Sequence, residues 1–166
     1  MQIRLAVEAD LNTIVEIYNA AIPTRLATAD LTPVSVESRR DWFRSHSDRY
    51  PVWVMTEHGQ IIGWLSFQMF YGRIAYHKTA EVSIYIAPTY QSQGVGTTLL
   101  SYAIATCPKL DIHQLVGFVF DHNAASRHLF ISFGFEQWGF LPKVAELDGA
   151  EQSLIILGKT IPNIDT

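Results

Sequence analysis

The chain has 166 residues, 48% hydrophobic and 17% charged, which suits one globular domain spanning residues 1–166 and excludes a disordered chain. Its net charge is −4 and its 12 lysines and arginines form no cluster longer than Arg39-Arg40, so no nucleic-acid partner is expected. The apolar runs are too short for a membrane span, Met1 to Leu5 lack signal-peptide order, and a single cysteine fits a reducing, cytoplasmic setting.

Ile3-Arg4-Leu5 reads as a short opening strand. Asp10 is the expected N-cap of a helix that carries Leu11, Ile14, Val15 and Tyr18 on one face and stops at Pro23. A polar loop follows to Thr32, and Ser35 caps a second helix bearing Val36, Trp42 and Phe43. Val52 to Met55 and Ile61 to Phe67 flank Glu57-His58-Gly59-Gln60, the signature of a hairpin. A polar, aromatic linker through Phe70, Tyr71 and Arg73 leads to the stretch around which the chain is organised.

That stretch runs from Ala80 to Leu100 and reads as strand, turn and helix. Ser83-Ile84-Tyr85-Ile86 is β-branched and aromatic, and Pro88 closes the strand because it has no N–H for a sheet ladder. From Gly96 the period changes, with Leu99, Leu100, Ala103, Ile104 and Cys107 at helical spacing before Pro108. Between them, Gln91-Ser92-Gln93-Gly94-Val95-Gly96 is a turn of small and polar residues at a helix N-terminus. Such an end offers about four unpaired N–H groups and the positive pole of the helix dipole, which suit a phosphate. The turn is not a P-loop, for no Gly-Lys-Ser/Thr follows, and it lacks the third glycine of a dinucleotide fingerprint.

Beyond Pro108, Leu115 to Phe120 is apolar on both faces and reads as a buried strand. Asp121-His122-Asn123 caps a helix to about Phe133, ended by Gly134. Phe135 to Leu141 and Gln152 to Gly158 form a last antiparallel pair around Asp148-Gly149. The order β-α-α-β-β-β-α-β-α-β-β predicts an α/β fold with a mixed sheet.

The turn and its setting resemble the Gln/Arg-x-x-Gly-x-Gly/Ala pyrophosphate loop of the GCN5-related N-acetyltransferases (GNAT). A second segment, Asn123 to Phe135, is similar to the Asn-x-x-Ala/Ser-x-x-Leu-Tyr-x-x-x-Gly-Phe segment of that superfamily. Glu16 to Ala21, Trp42-Phe43, Tyr50-Pro51-Val52 and Leu141 to Val144 resemble its phosphinothricin and methionine sulfoximine acetyltransferase branch. The resemblance runs from about Ile3 to Ile156 and implies the acyl-CoA N-acyltransferase fold, with two central strands that splay apart. It implies acetyl-CoA as cosubstrate, whose pantetheine arm would pair with the backbone of Ile84, Tyr85 and Ile86. The pyrophosphate would sit on Gln91, Ser92, Gln93, Gly94, Val95, Gly96 and Thr97, with Asn123 bonding the pantetheine arm and Ser126 nearby. The alternative for Asn123 is a helix cap alone.

An amine must lose a proton to attack a thioester, so a base is needed. Glu81 is the first candidate, because a carboxylate in a central strand calls for a partner or a purpose, and the resembling enzymes carry a glutamate there. His77 is the second. Arg73, Tyr76 and His77 lie in the linker that forms part of the acceptor pocket in the resembling branch, and an arginine fork suits a carboxylate or phosphinate. A solvated loop arginine is the alternative for Arg73. Phe130 occupies the place where many relatives carry an acidic tyrosine, which leaves water, Tyr85 or no acid for the leaving thiolate. The six histidines show no ligand spacing, and no metal is expected. The expected partner is a small amine, in a protein expected to form a homodimer. Protein, peptide or polyamine acetylation, or acyl-CoA sensing without catalysis, are the alternatives.

Overall fold

The computed structural model describes residues 1–162 and is built on one seven-stranded sheet. Its strands are β1 (Gln2–Leu5), β2 (Val52–Glu57), β3 (Gln60–Met69), β4 (Thr79–Ile86), β5 (Gln114–Phe120), β6 (Glu136–Leu147) and β7 (Ala150–Thr160). Their order across the sheet is β1-β2-β3-β4-β5-β7-β6, so the last hairpin folds back with β7 inside and β6 at the edge. Four helices join them: α1 (Leu11–Ala21), α2 (Val36–Arg44), α3 (Val95–Thr106) and α4 (Ala124–Ser132). Every strand pair is antiparallel except β4 with β5. No described helix is long and apolar enough to cross a membrane.

Two apolar layers cover the sheet, and the two-residue alternation of the strands decides which side chain joins which layer. On one face Phe67, Ala80, Val82 and Leu115 pack with Leu99, Leu100 and Ala103 of α3 and Phe130 of α4. On the other, Val52, Val54 and Trp64 meet Ile14 and Ile17 of α1, with Trp42 and Phe43 of α2 beside them. The indole N–H of Trp64 donates to the carbonyl of Ile14 at 3.1 Å, which fixes α1 against β3. Helices α3 and α4 therefore lie on one face of the sheet and α1 and α2 on the other.

Two local readings are corrected by the structure. Asp10 does not cap α1 with its side chain. Its carboxylate is held by Arg4 at 2.6 and 2.9 Å and by the N–H of Val7 at 2.8 Å, so it closes a short 3-10 turn ahead of the helix. A bidentate arginine outcompetes a neutral N–H. The last hairpin is also longer than its composition indicates, since β6 continues through Pro142 to Leu147. Proline is tolerated there because β6 is an edge strand, and the register shifts between Leu141 and Ala145 to absorb it.

Candidate functional site

The parallel pairing of β4 and β5 lasts for three residue pairs, Thr79 with Gln114, Ala80 with Leu115 and Glu81 with Val116. Beyond Glu81 each strand keeps its outer neighbour, β4 pairing with β3 as far as Ile86 and β5 with β7 as far as Phe120. The two strands therefore diverge, and a wedge opens with its apex at Glu81 and Val116. The N–H of Ala87 donates to Ile62 on the β3 side at 2.9 Å. Strand alternation then turns the backbone groups of Ile84 and Ile86, and the carbonyl of Val82, into the wedge, whereas those of Tyr85 face Trp64. Of the three residues expected to bind an arm, Ile84 and Ile86 present backbone to the gap. The carbonyl of Val82 joins them, from a residue that the sequence reading passed over although the period of two contains it. Unpaired backbone inside a sheet demands a partner, and an extended amide-bearing ligand supplies one.

At the wide end of the wedge, α3 begins with Gly94 at φ +80° and no side-chain cap. By contrast, α2 and α4 are capped by Ser35 and Asn123, which accept from Ser38 and Ser126. The first helical bond of α3 is the N–H of Thr98 to Gly94 at 2.9 Å. The N–H groups of Val95, Gly96 and Thr97 thus precede the helical ladder. Ser92 also has positive φ, and left-handed residues in such a turn gather successive N–H groups into an anion-binding hollow. The side chains of Gln91 and Gln93 fold back onto Ile86 and Thr89, clear of that hollow. Gly96 has a packing reason to lack a side chain, for a Cβ there would come within 3.2 Å of Leu129 on α4.

Glu81 is partly buried at the apex, directly across from Gln68 of β3. Burial raises its pKa above the ordinary carboxylate value, and among the described residues no neighbouring cation or donor offsets the shift. On the same face of β4, Ser83 and Tyr85 line a cleft of about 160 Å³ that also takes in Trp64, Ser66 and Gln68 of β3. Tyr18 of α1 and Arg39 and Trp42 of α2 form its other wall. Arg39 donates to Asp30 at 2.9 Å and lies 4.8 Å from the centroid of the Tyr18 ring. Arg39 was read only as half of a basic pair. Its signal was position, three residues before Trp42 and hence on the inward stripe of α2, while Arg40 and Arg44 reach the exposed Glu8.

Arg73, Tyr76 and His77 sit in the segment joining β3 to β4, at the sheet end that carries Gln68 and Glu81. Arg73 is exposed, Tyr76 joins an aromatic group with Phe70 and Tyr71, and His77 Nδ1 bonds its own chain at Ile74. None of the three lines the cleft. Asn123 is buried and has two partners, for its Oδ1 caps α4 at Ser126 and its Nδ2 donates to Leu26. Ser126 lies in the first turn of α4. Phe130 is buried with its ring against Gly117, the first residue of β5 past the apex, so hydrocarbon fills that place. The Tyr85 hydroxyl donates to Ala27, and burial pushes its pKa far up, which makes it a poor proton source. Among the described residues no group of three His, Cys, Asp or Glu is placed to hold a metal ion.

Comparison with known proteins gives this geometry its family. The profile of the Acetyltransferase (GNAT) family matches residues 11–135. A candidate phosphinothricin acetyltransferase of Bacillus subtilis (strain 168), YwnH, is 46% identical over 97% of this chain and 99% of its own. The L-methionine sulfoximine/L-methionine sulfone acetyltransferase of Salmonella typhimurium is 34% identical over 87% of this chain and 85% of its own. The crystal structure of a phosphinothricin acetyltransferase from Sinorhizobium meliloti, in complex with acetyl-CoA, superimposes with a TM-score of 0.91. It is 28% identical and covers 99% of this chain and 91% of its own. Splayed strands, an uncapped helix end and a matching profile together make this chain an acetyltransferase that belongs to the GNAT family.

Proposed function

We propose that this enzyme transfers the acetyl group of acetyl-CoA to the primary amine of a small amino-acid-like acceptor, of the phosphinothricin or methionine sulfoximine type. The observation that carries the reading is Glu81, an unpaired and partly desolvated carboxylate at the wedge apex, beside an aromatic cleft of about 160 Å³. The diphosphate lies on the N–H groups from Gln91 to Thr97, and the pantetheine arm runs along Ile84 and Ile86 into the wedge. Asn123 and Ser126 border the arm from the β5 side. Glu81 takes a proton from the ammonium, through water, and the free amine nitrogen attacks the thioester carbon. The N–H of Ile84, the first on β4 to face the gap beyond the parallel ladder, donates to the oxyanion that forms. Collapse breaks the C–S bond, the nitrogen gives its second proton to water, the thiolate leaves and takes a proton from solvent, and the amide and free CoA depart.

Arg73, with Tyr76 and His77, closes the acceptor site at the apex end and grips the acid group of the acceptor. One assay tests both parts of the reading by following thiol release from acetyl-CoA with a panel of amines. Methionine sulfoximine and phosphinothricin should turn over well ahead of polyamines and peptides. Turnover of peptides alone, or of no amine, would remove the proposed acceptor class. In the same assay Arg73→Ala should raise KM for an amino acid far more than for its methyl ester, since the ester has no carboxylate to lose. Equal effects on both would return Arg73 to the solvent.

The enzyme works as a homodimer in the cytoplasm. The edge strand β6 leaves Trp138, Phe140, Leu141 and Val144 exposed, more apolar surface than an isolated edge should carry. The single thiol, Cys107, is buried and suits a reducing compartment. Sedimentation should give twice the 18.7 kDa chain mass, and a monomer at micromolar concentration would rule the dimer out.

A further inference from the structure

Three successive carbonyls of the segment between α1 and α2 bridge the open end of the wedge. The carbonyl of Arg25 accepts from His122 Nε2 at 2.8 Å, that of Leu26 from Asn123 Nδ2 at 3.1 Å, and that of Ala27 from the Tyr85 hydroxyl at 3.1 Å. His122 and Asn123 follow β5 and Tyr85 belongs to β4, so the segment is tied to both diverging strands. It lies on the face of Glu81, since it continues from α1, which packs on that face. Its far end is held as well, because Asn19 exchanges two bonds with Val34 at 2.9 Å and Tyr18 bonds Thr28 and Asp30.

Arg25 locks this strap to the β6–β7 turn. Its Nε and Nη2 reach Asp148 at 2.7 and 3.3 Å, and its Nη1 donates to Ile22 and Leu31 at 3.1 and 3.0 Å. The guanidinium holds the Asp148 carboxyl below its usual pKa. On the acceptor face the wedge is thus closed at its apex by the Glu81 and Val116 pair and at its wide end by the strap. The distance between them is four strand residues, about 13 Å at 3.3 Å each. A trough of that length, blocked at its wide end, holds one amino acid and leaves no path for a chain that continues.

We infer that the Arg25–Asp148 clamp sets acceptor size, confining the enzyme to single amino acids and excluding extended peptides. The inference rests on the proposed small-amine activity and deepens it by naming the residues that impose it. A charge in the β6–β7 turn acts here without touching the reacting atoms, so Arg25 and Asp148 are positioning residues.

The test uses acetyl-CoA with methionine, methionyl-alanine and a methionyl tetrapeptide, and compares kcat/KM along the series. Wild-type enzyme should lose activity steeply as the acceptor lengthens. Asp148→Asn, which keeps the turn preference, and Asp148→Lys, which repels Arg25, should each raise the peptide-to-methionine ratio, the lysine variant by about tenfold or more. Methionine itself should change least. Arg25→Asp combined with Asp148→Lys restores the pair in reverse and should restore the steep profile. Amide exchange at residues 25–31 should quicken in Asp148→Lys while α1 and α2 keep their protection. An unchanged ratio in both single variants, with methionine still acetylated, overturns the clamp and leaves the small-amine reading standing. Wild-type turnover of the tetrapeptide equal to that of methionine overturns both, as does the absence of turnover with methionine and with the whole amine panel.

Discussion

Gly94→Glu should abolish acetyl-CoA binding while leaving the fold in place. A Cβ at Gly94 would meet nothing within 4 Å, so the new side chain starts into open space. Two other effects follow. The residue has φ +80°, where any side chain other than glycine costs about 1–2 kcal/mol. The new carboxylate would also stand at the uncapped N-terminus of α3, where the diphosphate is proposed to bind. Two like charges about 4 Å apart in an effective dielectric of 20 repel by about 4 kcal/mol, close to a thousandfold in affinity. Gly94→Ala separates the two effects, because it carries the strain without the charge. Calorimetric titration should show Ala weakened modestly and Glu not binding, with similar melting temperatures for both. Wild-type affinity in a folded Gly94→Glu protein would put the phosphates elsewhere.

The loop around Gly94 was legible because its signal is local. A change of period from two to 3.6, with glycines between, marks a strand-turn-helix whatever the rest of the chain does. The element order was legible for the same reason. What local signals could not carry was the pairing beyond them. Nothing in Gln152 to Gly158 says that this strand inserts beside β5 and leaves β6 at the edge, since that depends on which neighbour covers the apolar face of Leu115 to Phe120. Asp10 shows the same limit at the scale of one side chain. Its cap signal was correct in type, but Arg4, six residues away, is the stronger partner once β1 is in the sheet.

The acceptor side of the site was the least legible. In the sequence Tyr18 and Trp42 fall in helices and Trp64 in a strand, and in the fold they make edge-on and stacked contacts with one another and with Tyr85. They also wall a cleft, because α1 and α2 do not cover the sheet as far as Ser66, Gln68 and Ser83. Whether an apolar face is fully covered depends on helix length and crossing, which a periodic pattern does not encode. Arg25 belongs to the same class. In sequence it is one cation in a polar loop, and its partner Asp148 is 123 residues away. By contrast Glu81 could be singled out, because a carboxylate between Ala80 and Val82 breaks an apolar strand at a fixed place.

Glu81→Gln should lower kcat by about 10²–10⁴-fold, the usual contribution of a general base, with acetyl-CoA affinity nearly unchanged. Glutamine keeps the size and polar reach of the side chain but accepts no proton near neutral pH. On the proposed reading the cofactor is held by backbone groups further along β4 and α3, which the substitution leaves alone. Two pH signatures identify the cause. Raising the pH should recover part of the rate in the variant, because free amine then forms in solution without help. The second signature is stability. Burial raises the pKa of Glu81 in the folded protein, so between its unfolded and folded ionisations the native state binds more protons than the unfolded chain. Wild-type stability therefore falls as pH rises through that window, and the cost remains at neutral pH. Glutamine has no such window, so the variant should melt higher than wild type at pH 7–8, with the advantage fading in acid. A less active yet more stable variant is the mark of a carboxylate kept desolvated for chemistry. Wild-type kcat at neutral pH, with the chemical step shown to limit the rate, would take Glu81 out of the mechanism and make His77 the base to test next.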